Sequence, residues 1–295
     1  MPQPLSTRNP LNRYPFQLLI NDQVGMISSG TGFFYSLDDK LFLVTNWHNV
    51  SGKNPFTGAP LHGSGRLPLT LTGKLATVME DGESFAFVGR TLELYKDYSP
   101  IWLEHPELGS GCDVVAIPLD SAEKIPPGMH KPVNTYSDTK VPVSPGGVAF
   151  VVGFPKGISV GPGLPLMKSG YIASEPDYDA AIGGEVGNVG GLKGGLRIPA
   201  FFLDIQTRPG MSGSPVFASY TGLWDPEDPY GTARPEGEMR LTGSTRIGTG
   251  FEFVGCYSGR VQEKENEAIL GLCWREDTIK SICEGGRQGA HPHVR

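Results

Sequence analysis

GTGFFYSLDDKLFLVTNWHNV, residues 30–50, sets two apolar runs on either side of a Leu37-Asp38-Asp39-Lys40 turn and closes on a histidine, His48. The runs are rich in aromatic and β-branched residues and too short for helices of that composition, so they read as strands. His48 then has two readings. It is an ordinary histidine ending a core strand, or a general base that the strand holds at the lip of a cleft.

Upstream, PFQLLIN and VGMISSGTGFFYS are strand candidates parted by Asn21-Asp22, and KLFLVTNW is the third. LPLTLTG, SFAFVGR and LELYKDY continue the rhythm to residue 98, and CDVVAIPL follows. A proline-rich linker, residues 125–146, divides the chain. The expected organisation is an N-terminal barrel over 1–124, a C-terminal barrel with a terminal helix over 147–285, and a polar tail over 286–295. In the second half VAFVVGFPKG, LMKSGYIASE, AFFLDIQT, SPVFASY, FEFVGCYSG and AILGLCW read as strands. Residues 222–249 read as an irregular exposed insertion. DTIKSICEG is the one convincing helix, with Asp277 as cap, Ile279 and Ile282 three apart, and Gly285 at its end.

Composition agrees with a loop-rich all-β chain. The 41 glycines and 26 prolines among 295 residues are spread without a period, as turns between many short strands. A net charge of −6 argues against a nucleic-acid partner, which usually needs a basic face. No apolar stretch approaches the roughly 20 residues of a membrane span, and the first twenty residues lack a secretory pattern, so a cytoplasmic setting without membrane contact is expected. Cys112, Cys256, Cys273 and Cys283 show no metal-ligand spacing. Buried free thiols are expected, with a Cys256–Cys273 bridge left open. Neither metal nor cofactor is expected.

PGMSGSP, residues 209–215, has the composition of a nucleophile loop. A serine needs a base to take its proton and donors for the oxyanion that follows. Gly210 lets the chain bend so that its N–H and that of Ser212 share one pocket. Gly213 leaves room beside the hydroxyl, and Pro215 begins the next strand. The same residues also make an ordinary tight turn. Asp113 heads the apolar run CDVVAIPL, and a carboxylate entering a core needs a partner such as a histidine N–H. Asp177 and Asp179 in EPDYDA are alternative acids, but they lie in a turn rather than at a strand head. His62, His105 and His130 sit in polar or proline-rich loops and read as solvated, while His291 and His293 in the tail could bind metal weakly. The order His48, Asp113, Ser212 is one in which the serine triad recurs.

With these segments in place, the sequence resembles the trypsin-like (chymotrypsin-fold) serine peptidases, in particular the disulfide-poor bacterial and viral members. GTGFF with LVTNWHNV, CDVVAIPL, VVGFPKG, IQTRPGMSGSPV and FVGCYSG resemble the family's segments in order, over roughly residues 15–285. The resemblance implies two six-stranded antiparallel β-barrels with the catalytic groups between them. It implies Ser212 as nucleophile, His48 as base, Asp113 as the orienting carboxylate, and the Gly210 and Ser212 amides as oxyanion hole. Substrate would meet Gln206 and Thr207 near the pocket floor, Tyr257 at one wall, and Ser258 and Gly259 along the flanking strand, with Ser258 matching the family's serine beside the aspartate. Glu263, Glu265 and Glu267 lie in a nearby loop and could add negative charge.

Met211 departs from the family: secreted relatives carry there an aspartate that receives a new N-terminal ammonium. Activation by that ion pair is not available to this chain. The glycine-rich residues 180–198 read either as a plain flexible surface loop or as a segment that a partner or ligand orders. The expected partners are a polypeptide substrate and, as an open option, an activating protein. A restricted or gated intracellular effector, a viral-type processing peptidase and a catalytically silent peptide binder all stay open.

Overall fold

The computed structural model describes residues 9–63, 65–78, 85–119, 130–135, 140–161, 163–182, 196–230, 241–261 and 270–292. Strands β1 (Phe16–Asn21), β2 (Met26–Leu37) and β3 (Lys40–Thr45) form a meander. Asp38 and Asp39 turn between β2 and β3 at φ 48° and 61°, and Leu37 pairs directly with Lys40. Two successive left-handed residues match the twist of the strands they join, and aspartate tolerates that conformation better than most residues.

After β3 the chain forms a five-residue helix, α1 (Trp47–Ser51), closed by Gly52 at φ 70°. His48 therefore sits in the first turn of a helix and not on a strand. Helical propensity gives no warning of so short an element, whose stability comes from burying Trp47 and Val50.

Strands β4 (Thr70–Val78), β5 (Phe85–Glu93), β6 (Tyr95–Lys96), β7 (Ser99–Pro100), β8 (Leu103–Glu104) and β9 (Val115–Leu119) complete the N-terminal half. The second half carries β10 (Val148–Gly153), β11 (Leu166–Ile172), β12 (Ala180–Ile182), β13 (Leu196–Ile198), β14 (Ala200–Asp204), β15 (Pro215–Trp224), β16 (Arg246–Val261) and β17 (Leu270–Arg275). Helix α2 (Glu276–Gly285) and β18 (Arg287–Gln288) follow.

The fold is all-β. Six strands of the second half close a barrel in the order β10-β11-β14-β17-β16-β15. The N-terminal sheet runs β18-β8-β9-β3-β2-β1-β4-β5. The expected six-stranded N-terminal barrel is instead an eight-stranded sheet: β1 lies between β2 and β4, β3 pairs with β9, and the two-residue strands β8 and β18 extend one edge. Residues 287 and 288 are thus no free tail: Arg287 pairs with Glu104 and Gln288 with Leu103.

Three apolar cores hold these sheets. One fills the N-terminal sheet around Phe16, Leu18, Leu71 and Trp102. A second fills the barrel around Val151, Phe201, Val216 and Met211. The third lies between the halves, where Phe33 and Tyr35 of β2 meet Phe217 and Phe253 of the barrel and Ile279 and Ile282 of α2 seal the seam. The Phe33 and Phe253 rings meet edge to face with centroids 5.6 Å apart, an arrangement that adds to simple area burial.

Other expectations are corrected in detail. The β15–β16 ladder continues to Trp224 and Arg246, so both ends of the 222–249 stretch are strand; residues 231–240 lie outside those described. Arg275 occupies the cap position of α2, with Asp277 inside its first turn. Residues 183–195 of the glycine-rich segment lie outside the described residues, and its flanks pair as β12 with β13. Cys112, Cys256, Cys273 and Cys283 are free thiols. His130 is buried, 7% exposed, and its Nε2 accepts the Ala76 N–H at 3.0 Å; the polar residues around it in sequence hid that burial.

Candidate active site

Three donors converge on the Asp113 carboxylate. His48 Nδ1 lies 2.7 Å from Oδ2 and the His48 N–H donates to Oδ1 at 2.9 Å. Ser258 Oγ donates to Oδ2 at 2.5 Å. Asp113 is 1% exposed, so these bonds stand in for the water that its charge has lost. With Nδ1–H donating to Asp113, the lone pair sits on His48 Nε2, which faces away from the carboxylate.

Ser258 reaches Asp113 because of a β-bulge. On β16 Tyr257 pairs with Cys273 and Gly259 with Leu272, leaving Ser258 as the extra residue. A bulge re-aims a side chain in this way. The backbone of Asp113 is held as well, since Asn46 Nδ2 donates to its carbonyl at 2.6 Å.

The Ser212 loop is fixed from several sides. Thr31 N donates to Ser212 O at 2.9 Å, and Asn49 Nδ2, one residue past His48, donates to the same oxygen at 3.3 Å. Gly213 N donates to Tyr257 O at 2.9 Å. Met211 is wholly buried in the barrel core. An apolar anchor therefore occupies the place where an aspartate would need an ammonium partner.

Two backbone amides are aimed by their own peptide planes. Pro209 O accepts from Lys156 N at 2.6 Å and Met211 O accepts from Ser214 N at 3.0 Å. In a trans peptide the N–H points opposite to the carbonyl, so the N–H groups of Gly210 and Ser212 turn away from those partners. Neither donates to an acceptor among the described residues. Gly210 holds φ 96°, and a Cβ there would run into Phe154 O.

Beside Ser212 lies a cleft of about 250 Å³ lined by Thr207, Arg208, Pro209, Tyr257, Gly259 and Arg260 as well as Ser212 itself. Thr207 and Tyr257 are buried with their hydroxyls hydrogen-bonded to each other. Burial pushes the Tyr257 phenol up to about 12. Gln206, expected at the pocket floor, is exposed and outside the lining; it and Thr207 lie past the end of β14, where burial still alternates from residue to residue and leaves Thr207 turned inward. Ser258 is spent on Asp113 and does not line the cleft. Glu263, Glu265 and Glu267 fall outside the described residues. Arg208, in the loop before Ser212, and Arg260, near the end of β16, went unnoticed because a single arginine carries no pattern in sequence.

The remaining candidates lie elsewhere. Asp179 pairs with Arg275 at 2.5 Å. His105 Nδ1 accepts two backbone N–H groups of its own turn, each at 3.2 Å. His291 rests against Tyr95 with ring centroids 4.9 Å apart, and His293 is outside the described residues. Glu104 was not singled out by the sequence, yet its Oε1 accepts the indole N–H groups of Trp47 at 2.8 Å and Trp102 at 3.2 Å. It ties the helix carrying His48 to the sheet edge. Burial pushes the thiols of Cys112, Cys256 and Cys273 well up, so they stay protonated. No cluster of metal-ligating side chains occurs among the described residues.

Residues 30–223 match a protein-family profile, the trypsin-like peptidase domain. The chain belongs to the trypsin-like peptidase family. It is accordingly a serine endopeptidase of that class, and its substrates are polypeptides. Among solved structures, the trypsin-like fold is similar to the active form of the Rv3671c protease from M. tuberculosis, with 14% identity, TM-score 0.47, and coverage of 99% of this chain and 91% of that one. A serine endoprotease from Yersinia pestis is similar at 14% identity and TM-score 0.43, covering 94% of this chain and 66% of that one. No curated protein sequence matches the chain. Among the described residues of this trypsin-like peptidase, no helix is long and apolar enough to cross a membrane.

Proposed function

We propose that the trypsin-like domain cleaves peptide bonds through an acyl-enzyme, with Ser212 as nucleophile, His48 as base then acid, and Asp113 as the carboxylate that orients His48. The observation that carries this reading is the 2.7 Å contact between His48 Nδ1 and a buried Asp113 oxygen. It leaves the basic lone pair on Nε2, on the ring edge away from Asp113.

Ser212 Oγ forms a bond to the scissile carbonyl carbon while His48 Nε2 takes the hydroxyl proton. The carbonyl electron pair becomes an oxyanion, and the unpartnered N–H groups of Gly210 and Ser212 are the donors to receive it. Collapse breaks the C–N bond, and His48 returns its proton to the leaving amine. Water then attacks the ester with His48 again as base, and Ser212 is regenerated.

The free amides and the buried Met211 support an oxyanion hole assembled without a partner. A gated or silent site is favoured by one observation: Ser212 Oγ makes no hydrogen bond to His48. Such contacts often tighten only when substrate binds. Labelling with a fluorophosphonate probe separates the two. Ready labelling of the wild type that disappears in Ser212→Ala is expected; a folded wild type that stays unlabelled sinks the ungated reading.

A further inference from the structure

We propose that the cleft beside Ser212 takes an acidic side chain of the substrate, and that Arg208 and Arg260 select it. The proposal rests on the peptidase reading above, which makes Ser212 the point where the substrate carbonyl lies.

The cleft's only ionised lining groups are two guanidinium side chains; no carboxylate lines it among the described residues. Neither the Arg208 nor the Arg260 guanidinium forms a hydrogen bond or ion pair with a described residue, and both side chains lie on exposed residues, so they can meet a ligand. Guanidinium forks suit carboxylates, which they hold through paired N–H groups. An entering lysine or arginine would instead add a third positive charge to a confined space.

The buried end of the cleft supplies a neutral donor. Thr207 and Tyr257 share one hydroxyl proton between them, which leaves one of the two O–H groups available to a bound acceptor. Burial raises the Tyr257 phenol, with Thr207 and the Arg260 charge pulling in the opposite direction. The phenol stays protonated near neutral pH, and Arg260 acts on the inner end of the cleft as well as on its rim. The hydroxyl pair alone would accept glutamine as readily as glutamate. The arginines tip the choice, and covering the cleft with peptide strengthens them by removing water.

The deciding measurement is binding to Ser212→Ala by fluorescence anisotropy. The probes are labelled peptides that differ only in a C-terminal Glu, Gln or Lys. Glu is expected to bind at least about tenfold more tightly than Gln, the scale of one charged hydrogen bond, and more tightly still than Lys. Added salt and the variants Arg208→Ser and Arg260→Ser should each shrink the margin. Equal binding of Glu and Gln, or a preference for Lys, overturns the proposal, as does a margin that survives the double variant. This binding needs no nucleophile, so it reads the cleft even if the wild type fails to label. Labelling without a Glu preference removes this proposal alone.

Discussion

Thr31 grips the loop of Ser212 from the opposite half of the molecule. Its N–H donates to Ser212 O at 2.9 Å, and its hydroxyl donates to Gly210 O, also at 2.9 Å. Its carbonyl accepts the Thr45 hydroxyl at 2.8 Å. One residue of β2 thus ties the proposed nucleophile loop to the strand that leads into His48. The glycines beside Thr31 make room for this: a Cβ at Gly30 would strike the Asn49 amide, and one at Gly32 would strike Leu18.

Thr31→Val keeps the shape and removes the hydroxyl. It leaves Gly210 O without its donor and Phe154 N without its acceptor. The expected loss is about 1–3 kcal/mol of stability and roughly tenfold in kcat/KM. Thr31→Ser should restore most of both. Chemical denaturation and peptide hydrolysis check the pair, and a Val variant with normal activity would remove Thr31 from the positioning of the loop.

Asp113→Asn retains volume but no longer fixes the His48 tautomer. A fall of roughly 10³–10⁴ in kcat is expected, with little change in KM. Ser258→Ala removes one of three donors to the same carboxylate and should cost only about tenfold. Comparable losses in the two variants would mean that Ser258 does more than support Asp113.

Gly213 holds φ 84°, and a Cβ there would collide with the Thr31 carbonyl. Gly58 is also left-handed at φ 67°, yet nothing lies within 4 Å of its Cβ position. Gly58→Ala should cost about 1 kcal/mol, the conformational penalty alone. Gly213→Ala should cost several times that and abolish fluorophosphonate labelling. Melting temperatures of the two variants make the comparison.

Burial lowers His130 from 6.5 to about 4. An unfolded chain takes up this proton near pH 6.5, whereas the folded one waits until about pH 4. Between those values the unfolded state holds the extra proton, so stability falls as pH drops through the window and is fully present above it. The change amounts to about 3 kcal/mol at most. His130→Gln, which keeps an acceptor for Ala76 N–H, should flatten the dependence seen in urea midpoints from pH 7 to 4.

Much of this architecture was readable in sequence because strands announce themselves locally. The Asp38-Asp39 turn and the β2 and β3 runs each carry their signal within a few residues, whereas Asp113, expected to head a strand, lies in a bend two residues before β9. What stayed hidden depends on distant partners. Helix α1 draws its stability from burying Trp47 and Val50, and His130 packs against the Phe16 ring while accepting the Ala76 N–H of β4. Thr207 is buried and Gln206 exposed in the stretch that follows β14, a one-residue difference that the residues around them do not register. The roles of Arg208 and Arg260 follow from a cleft whose walls come from separate segments of the second half.

The pairing of Arg287 with Glu104 has a consequence in time. Glu104 holds Trp47, and with it the helix of His48, yet the edge strand beside it is made only after every strand of the barrel has been synthesised. A growing chain emerging from the ribosome must wait for those residues before the sheet bearing the proposed base is complete. Order of manufacture therefore adds a link between the two halves beside their shared apolar seam, and a chain cut short before residue 286 would lose the edge strand that pairs with Leu103 and Glu104.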